Sequence, residues 1–345
     1  MEELSWVSML RIYRRKVQRI GSSTYIVSLP TSWAREVGLE PKTEVALEVL
    51  PDLSLRLFVP SKHVVTASRE YNVNVVSNYR VHDIVKEIIG GYVAGANIIK
   101  IYFKDVKREV IVSAISIARD KLMGLEIIDE GTTLIVLEVV VDPNLSDLIS
   151  IIKRMLRIAA SMHEDVISYI EGVISKELLE NVVSRDDLVD KLYLLALRQL
   201  TTILSDPYEM RRRGLSYVDS IYLSLFIKSL ERFADHAVNI VQALLTFPTP
   251  PKDLLDLYKG AVNAFRKSAE AFIVNDKDAA ISSVREVEEV RKLEEVIRRK
   301  SSEYLVNYPV ITRILDAISR ILSRAVDIAE EVIDISAVKN LSLVK

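Results

Sequence analysis

The chain has 345 residues, 49% of them hydrophobic, a formal net charge of −2 and no cysteine. That length supports two or three domains with real cores, and sparse glycine and proline point to a folded, largely helical protein. Without cysteine there are no disulfides, thiolate zinc sites or cysteine nucleophiles, and His63, His82, His163 and His236 show no ligand spacing. A metal site would therefore be built mainly from carboxylates, which suits hard or borderline ions. No apolar run reaches the roughly 18 residues that span a bilayer. The opening "MEEL" lacks the basic-then-apolar order of a signal peptide. A cytoplasmic protein without membrane insertion is expected.

In chain order, the first feature is basic. Arg11, Arg14, Arg15, Lys16, Arg19 and Arg35 fall within residues 9–35 with no acidic residue among them. The overall charge hides this local excess. "KVQRI", "TYIVSLP", "EVALEVL" and "LSLRLFVP" alternate as short strands, with Tyr25, Val27 and Leu29, then Val45, Leu47 and Val49, then Leu55, Leu57 and Val59 on repeating faces. Between the strand pairs, "TSWAREVGL" predicts a short helix capped by Thr31 or Ser32 and closed by Gly38.

From about Val73 to Val141 the pattern becomes βαβαββ, a small α/β domain. It has no phosphate loop, because "IIGGYVAG" lies inside a helix without a following Lys-Ser or Lys-Thr. From Pro143 onward the chain is helical. Breakers at "SDPY", "RRRG", "TFPTPP", "VNDKD" and "NYP" cut six long helices. Two groups of three, about 145–246 and 250–335, suggest an internal duplication.

Within the third of these helices lies "SLERFADHAVNI". Leu223, Ile227, Leu230, Ala234, Ala237, Val241 and Leu244 form its packed seam. Glu231 and Asp235 stand one turn apart beside it, and the preceding helix adds Asp186 and Asp190 with the same spacing. Such pairs on neighbouring helices resemble oxygen-rich metal sites in bundles. They equally form surface strips, with Arg185, Lys191, Arg198 or Arg232 as counter-charges, and spacing alone favours the strip.

"LERFADHAVNI" resembles the E-R-x-x-D-x-x-x-N-I signature of the PhoU family of phosphate-uptake regulators, and "RDDLVD" sits where that family carries acidic residues. The resemblance implies paired three-helix bundles able to hold metal clusters, and a role in repressing phosphate uptake or signalling. Asp186, Asp190, Glu231 and Asp235 match the acidic positions and Asn239 the asparagine. A divalent or trivalent ion such as iron, zinc or magnesium is the implied cofactor. In the second bundle Ser319, Ser323, Val287 and Arg291 occupy the corresponding positions, so that site is expected to be lost. His236 points about 100° from Asp235 on a helix, which favours a surface or interhelix hydrogen bond over ligation.

"RKVQRIGSSTYIVSLPTSWAREVGL" resembles the AbrB/MazE/SpoVT DNA-binding domain, with Gly21, Pro30 and Gly38 at its turn positions. "EPKTEV" departs from it, placing Lys42-Thr43 where Gly-Asp is common. In that family two chains interlace to close one barrel, and basic residues near the first strand face the duplex. Arg11, Arg14, Arg15, Lys16 and Arg19 fit that role, while Arg35 lies on the short helix.

The expected architecture is multi-domain and mainly α. A swapped-hairpin β domain (1–62) and a small α/β domain (63–142) precede two PhoU-like three-helix bundles (143–248 and 249–345). The expected function is a non-enzymatic, homodimeric regulator of phosphate homeostasis that binds DNA. A phosphate transporter or signalling kinase is a further partner. The competing readings are a metal-dependent hydrolase at the carboxylates and an adaptor that docks on a transporter or sensor kinase without touching DNA. Against the hydrolase, no nucleophile is placed with a base partner.

Overall fold

The computed structural model describes residues 12–50, 53–59, 68–140, 147–246, 252–300 and 309–341. The chain divides into two compact units between Ala67 and Ser68. The boundaries expected at 62–63, 142–143 and 248–249 lie outside the described residues.

The first unit has the expected order. Strands β1 (Gln18–Ile20) and β2 (Thr24–Ile26) form an antiparallel hairpin, α1 (Thr31–Glu36) follows, and β3 (Ala46–Val49) pairs with β4 (Leu55–Phe58). The strands are shorter than their alternating sequences suggested. Neither Thr31 nor Ser32 caps α1: Pro30 takes the cap position without a side-chain bond, and the Ser32 hydroxyl instead lies 2.9 Å from that of Tyr13. Proline's fixed φ leads the chain into the helix, so both hydroxyl residues fall inside its first turn. Gly38, at φ +59°, ends it.

The departure at "EPKTEV" is resolved locally. Lys42 adopts φ +74°, the Thr43 amide donates to the Glu40 carbonyl at 3.0 Å, and the Glu40 amide donates to the Thr43 hydroxyl at 3.1 Å. With Pro41 before it, this is the pattern of a type II turn made without glycine. The β3–β4 register pairs Leu47 with Leu57 and Val49 with Leu55 on one face. Leu47, Val49 and Leu55 are 64%, 67% and 65% exposed, and Val59 is the one buried hydrophobic among the unit's described residues. That face lacks a core of its own.

The second unit begins with β5 (Glu70–Val75), α2 (Val81–Val93), β6 (Ile98–Phe103), α3 (Arg108–Lys121), β7 (Leu125–Glu130) and β8 (Leu134–Val139). The sheet order is β5-β6-β8-β7, with β5 and β6 parallel and the other pairs antiparallel. Val73, Ile99, Ile101, Ile135 and Leu137 pack against Ile84, Ile88, Ile111 and Ile115. A Cβ on Gly91 would lie 2.5 Å from the Tyr71 ring, so glycine inside α2 is what lets that helix lie close to β5.

The helices are α4 (Leu148–Ile170), α5 (Lys176–Leu204), α6 (Pro207–Arg212), α7 (Tyr217–Thr246), α8 (Lys252–Val274), α9 (Lys277–Lys300) and α10 (Pro309–Lys339). Six are long, as expected. The short α6 fills the gap between "SDPY" and "RRRG", with the Asp206 carboxylate accepting from the Tyr208 amide at 2.9 Å. The α/β domain docks on α5, where the Arg198 guanidinium lies 4.9 Å from the Tyr92 ring centre and donates to the Tyr92 carbonyl at 2.7 Å.

The expected seam of α7 is buried throughout, from Leu223 to Leu244. It belongs to one core that runs through both bundles, joining Met155, Leu195 and Phe233 to Phe265, Leu315 and Ile318. His163 sits fully buried at the junction. Its ring stacks on Phe233 at 3.9 Å, and Phe265 stacks on the same ring at 3.8 Å. Its Nε2 is 2.8 Å from the Phe233 carbonyl, and Nδ1 is bonded to the Tyr258 hydroxyl. A carbonyl only accepts, so Nε2 carries the proton and Nδ1 accepts from Tyr258.

Burial holds the His163 pKa down at about 3, against an ordinary 6.5. The unfolded chain binds this proton more readily, so stability should fall as pH drops from about 6.5 toward 3. His163→Leu should remove that acid sensitivity. It should also cost about 3 kcal/mol at pH 7.5, because the Phe233 carbonyl and Tyr258 hydroxyl lose their partner. Urea unfolding of both proteins across this pH range measures both effects; parallel pH profiles would contradict the assignment.

Candidate cation site and basic strip

Asp186 and Asp190 lie one turn apart on α5, and Glu231 and Asp235 one turn apart on α7, which packs against it. One carboxylate oxygen from each of Asp190, Glu231 and Asp235 lies within 4.8 Å of the other two. Asp186 stands beside this trio without joining it. Burial, then the charges of Asp190, Asp235, Asp187 and Glu231, push its pKa up to about 7. Asp190 and Asp235 are also raised, again chiefly by burial. Asp186 Oδ1 and Glu231 Oε2 are buried with no hydrogen-bond partner.

The counter-charges differ from those expected. Arg185 is engaged by Asp165 and by the Ser161 hydroxyl, and Arg198 by Tyr92. Arg232 does reach Asp235, at 2.8 Å. Lys228, not anticipated, donates to Glu231 at 2.6 Å while its ammonium lies 4.6 Å from the Tyr193 ring centre. Its three-residue spacing from Glu231 was the available signal. Both cations come from α7. Asp186 and Asp190 on α5 form no ion pair among the described residues. Anions crowded in this way favour a proton or a cation, and an all-oxygen carboxylate set suits a hard ion.

In the second bundle Val287 is buried, and Arg291 donates to the Ser323 hydroxyl at 3.0 Å. Ser323 in turn donates to the Ser319 carbonyl at 3.1 Å. The trio on α5 and α7 is the one group with metal-ligand geometry among the described residues.

His236 turns away from the carboxylates, as its helical position required. It is 6% exposed, yet its Nδ1 has no hydrogen-bond partner, so the expected interhelix bond is not made. Burial, then Arg320, Arg324 and Arg232, lower its pKa to about 4, leaving a neutral ring.

In the first unit Arg14, Arg15 and Lys16 are exposed just before β1, with no ion pair among the described residues. Arg19 is partly committed: it donates to the Ser22 carbonyl, and its guanidinium lies 6.0 Å from the Tyr25 ring centre. Arg35 lies in the last turn of α1, and Arg11 falls outside the described residues. No described helix is long and apolar enough to cross a membrane.

Residues 152–244, which contain all four carboxylates, match the family model described as the PhoU domain. This part of the chain is a PhoU domain. Residues 18–64 match a second model, antidote-toxin recognition MazE, a bacterial antitoxin. Among solved structures, PhoU from Pseudomonas aeruginosa is 21% identical, with 56% of this chain and 97% of that chain covered and a TM-score of 0.48. The phosphate transport system regulatory protein PhoU from Streptococcus pneumoniae is 16% identical, covering 57% and 94%, with a TM-score of 0.46. None of the curated proteins compared with the chain matches it.

The carboxylate geometry of the PhoU domain has a measurable consequence in metal-free protein. Asp186 has a folded pKa of about 7 against an ordinary 3.8, so its cost is full above pH 7 and is relieved as pH falls toward 4. Asp186→Asn should therefore raise the Tm at pH 8 and change it little at pH 4. Differential scanning calorimetry on resin-treated protein checks this; an equal shift at both pH values would show that charge crowding is not the cause.

Proposed function

We propose that this protein is a regulator of phosphate homeostasis that binds DNA through a dimeric N-terminal head. We further propose that a metal ion occupies Asp190, Glu231 and Asp235, with Asp186 beside it. The observation that carries the regulatory reading is the match of the helical region containing the carboxylates to the PhoU domain, with a MazE-like segment ahead of it. The head's exposed Leu47, Val49 and Leu55 form a face that a second copy would cover, which supports dimerisation. The unpaired run Arg14, Arg15 and Lys16 supports phosphate contact on a duplex.

When bound, a divalent or trivalent ion supplies the positive charge that α5 lacks at this point. The chain's own groups position the donors: Lys228 and Arg232 hold Glu231 and Asp235 from one side, leaving Asp190 and Asp186 facing them from α5. Oxygen-only ligation favours magnesium or ferric iron over zinc. Elemental analysis should find bound metal in the wild type and none in Glu231→Ala/Asp235→Ala. Ser319→Ala/Ser323→Ala should leave the content unchanged. Metal retained at wild-type level without Glu231 and Asp235 would remove this site.

For the head, about four phosphate contacts per chain in a dimer predict that log affinity falls with log salt at a slope near −7. Arg15→Ala/Lys16→Ala should make that slope shallower by about four. Fluorescence anisotropy with duplex DNA at several salt concentrations measures it. A folded, dimeric variant with unchanged slope would make the head a dimerisation module and favour the adaptor reading.

A further inference from the structure

A groove of about 240 Å³ runs between α7 and α10, lined by His236, Asn239, Arg313, Asp316, Ala317 and Arg320. Its charges do not cancel. Arg313 and Arg320 lie seven residues apart on α10, two turns along one face, and neither has an ion-pair or hydrogen-bond partner among the described residues. Asp316, the only acid lining the groove, is engaged by Arg298 at 3.1 Å, and Arg298 also holds Glu294 at 2.9 Å. The surrounding cations are committed elsewhere, Arg324 to Asp327 at 2.9 Å and Arg232 to Asp235 at 2.8 Å. Two free guanidiniums and an amide therefore line the same groove as His236, whose buried Nδ1 has no partner.

We propose that this groove is a binding site for a small tetrahedral oxyanion, held between Arg313 and Arg320 of α10 and His236 and Asn239 of α7. A guanidinium presents a fixed fork of donors that matches an oxyanion's acceptors, and His236 and Asn239 each add a ring or amide N–H. His236 is buried and its Nδ1 has no partner, so that nitrogen is open to a bound ligand. The groove is smaller than the 300–1,000 Å³ typical of sites for drug-sized organic ligands, which favours an inorganic anion with a few waters. Arg313 and Arg320 belong to the second bundle and His236 and Asn239 to the first, so a bound anion ties the two together. None of these four residues belongs to the Asp190, Glu231 and Asp235 trio or to the basic run ahead of β1.

The test is equilibrium dialysis of the full, resin-treated chain against radiolabelled inorganic phosphate, at constant ionic strength in chloride. One saturable site per chain is expected. Arg313→Gln/Arg320→Gln should weaken it tenfold or more. Lys153→Gln/Arg157→Gln, which removes the same charge from exposed positions on α4, should leave it unchanged. With histidine-selective ¹⁵N labelling, the His236 ring signals should move on phosphate addition, while those of His163 should not. Sulfate competition identifies a site for free oxyanions in general, and tighter competition by ATP identifies one for a nucleotide's phosphoryl end. Absence of saturable phosphate binding, or equal weakening in the two double variants, would overturn the proposal.

Discussion

One imidazole with both nitrogens bonded inside an apolar core connects three helices from the two halves of the helical region. His163 comes from α4, its acceptor Phe233 from α7 and its donor Tyr258 from α8. A polar ring buried without those bonds would cost several kcal/mol, so its position fixes the relative depth of all three helices. The stack of His163, Phe233 and Phe265 adds a shape constraint to the polar one. The two three-helix groups consequently share a single core. A displacement of α7 relative to α8 would have to break this junction first.

With its depth fixed, α7 presents different chemistry on different sides. Glu231 and Asp235 face α5, where burial and then the crowded negative charges raise the proton affinity of Asp186 and Asp190. Around the helix, His236 faces the arginines of α10. One side is short of positive charge and the other has it in excess. Lys228 and Arg232, placed between, satisfy only the α7 half of the acidic set. The carboxylates of α5 are left to protons, solvent or an ion.

What was legible in the sequence follows the range of the interactions involved. The α7 seam, the six long helices and the βαβαββ order are set by local periodicity, and each was readable from one segment. The pairing of Asp190 with Glu231 and Asp235 was approachable because two helices carried the same spacing and the family signature aligned them. The bonding of His163 to Tyr258 was not readable, since nothing local distinguishes a core histidine from a surface one. Arg198 looked like a counter-charge for the acids, but it is committed to Tyr92 of the α/β domain. Lys228 was overlooked although its spacing was visible. In the first unit the strand pattern was clear, yet Leu47, Val49 and Leu55 stay exposed among the described residues.

The two bundles solve the same electrostatic problem in opposite ways. Where α5 carries Asp186 and Asp190, α9 carries the buried Val287 and Arg291, and where α7 carries Glu231 and Asp235, α10 carries Ser319 and Ser323. In the second bundle the cation is covalent: the Arg291 guanidinium donates to the Ser323 hydroxyl, and Arg291 forms no ion pair among the described residues. That arrangement needs nothing from solution and cannot respond to it. At the corresponding positions the first bundle leaves Asp186 Oδ1 and Glu231 Oε2 buried without a partner, so its free energy depends on pH and on any ion that binds. The second bundle has its own charge-sensitive point elsewhere on α10, where burial and then the charge of Asp327 push the Glu331 carboxyl up to about 8.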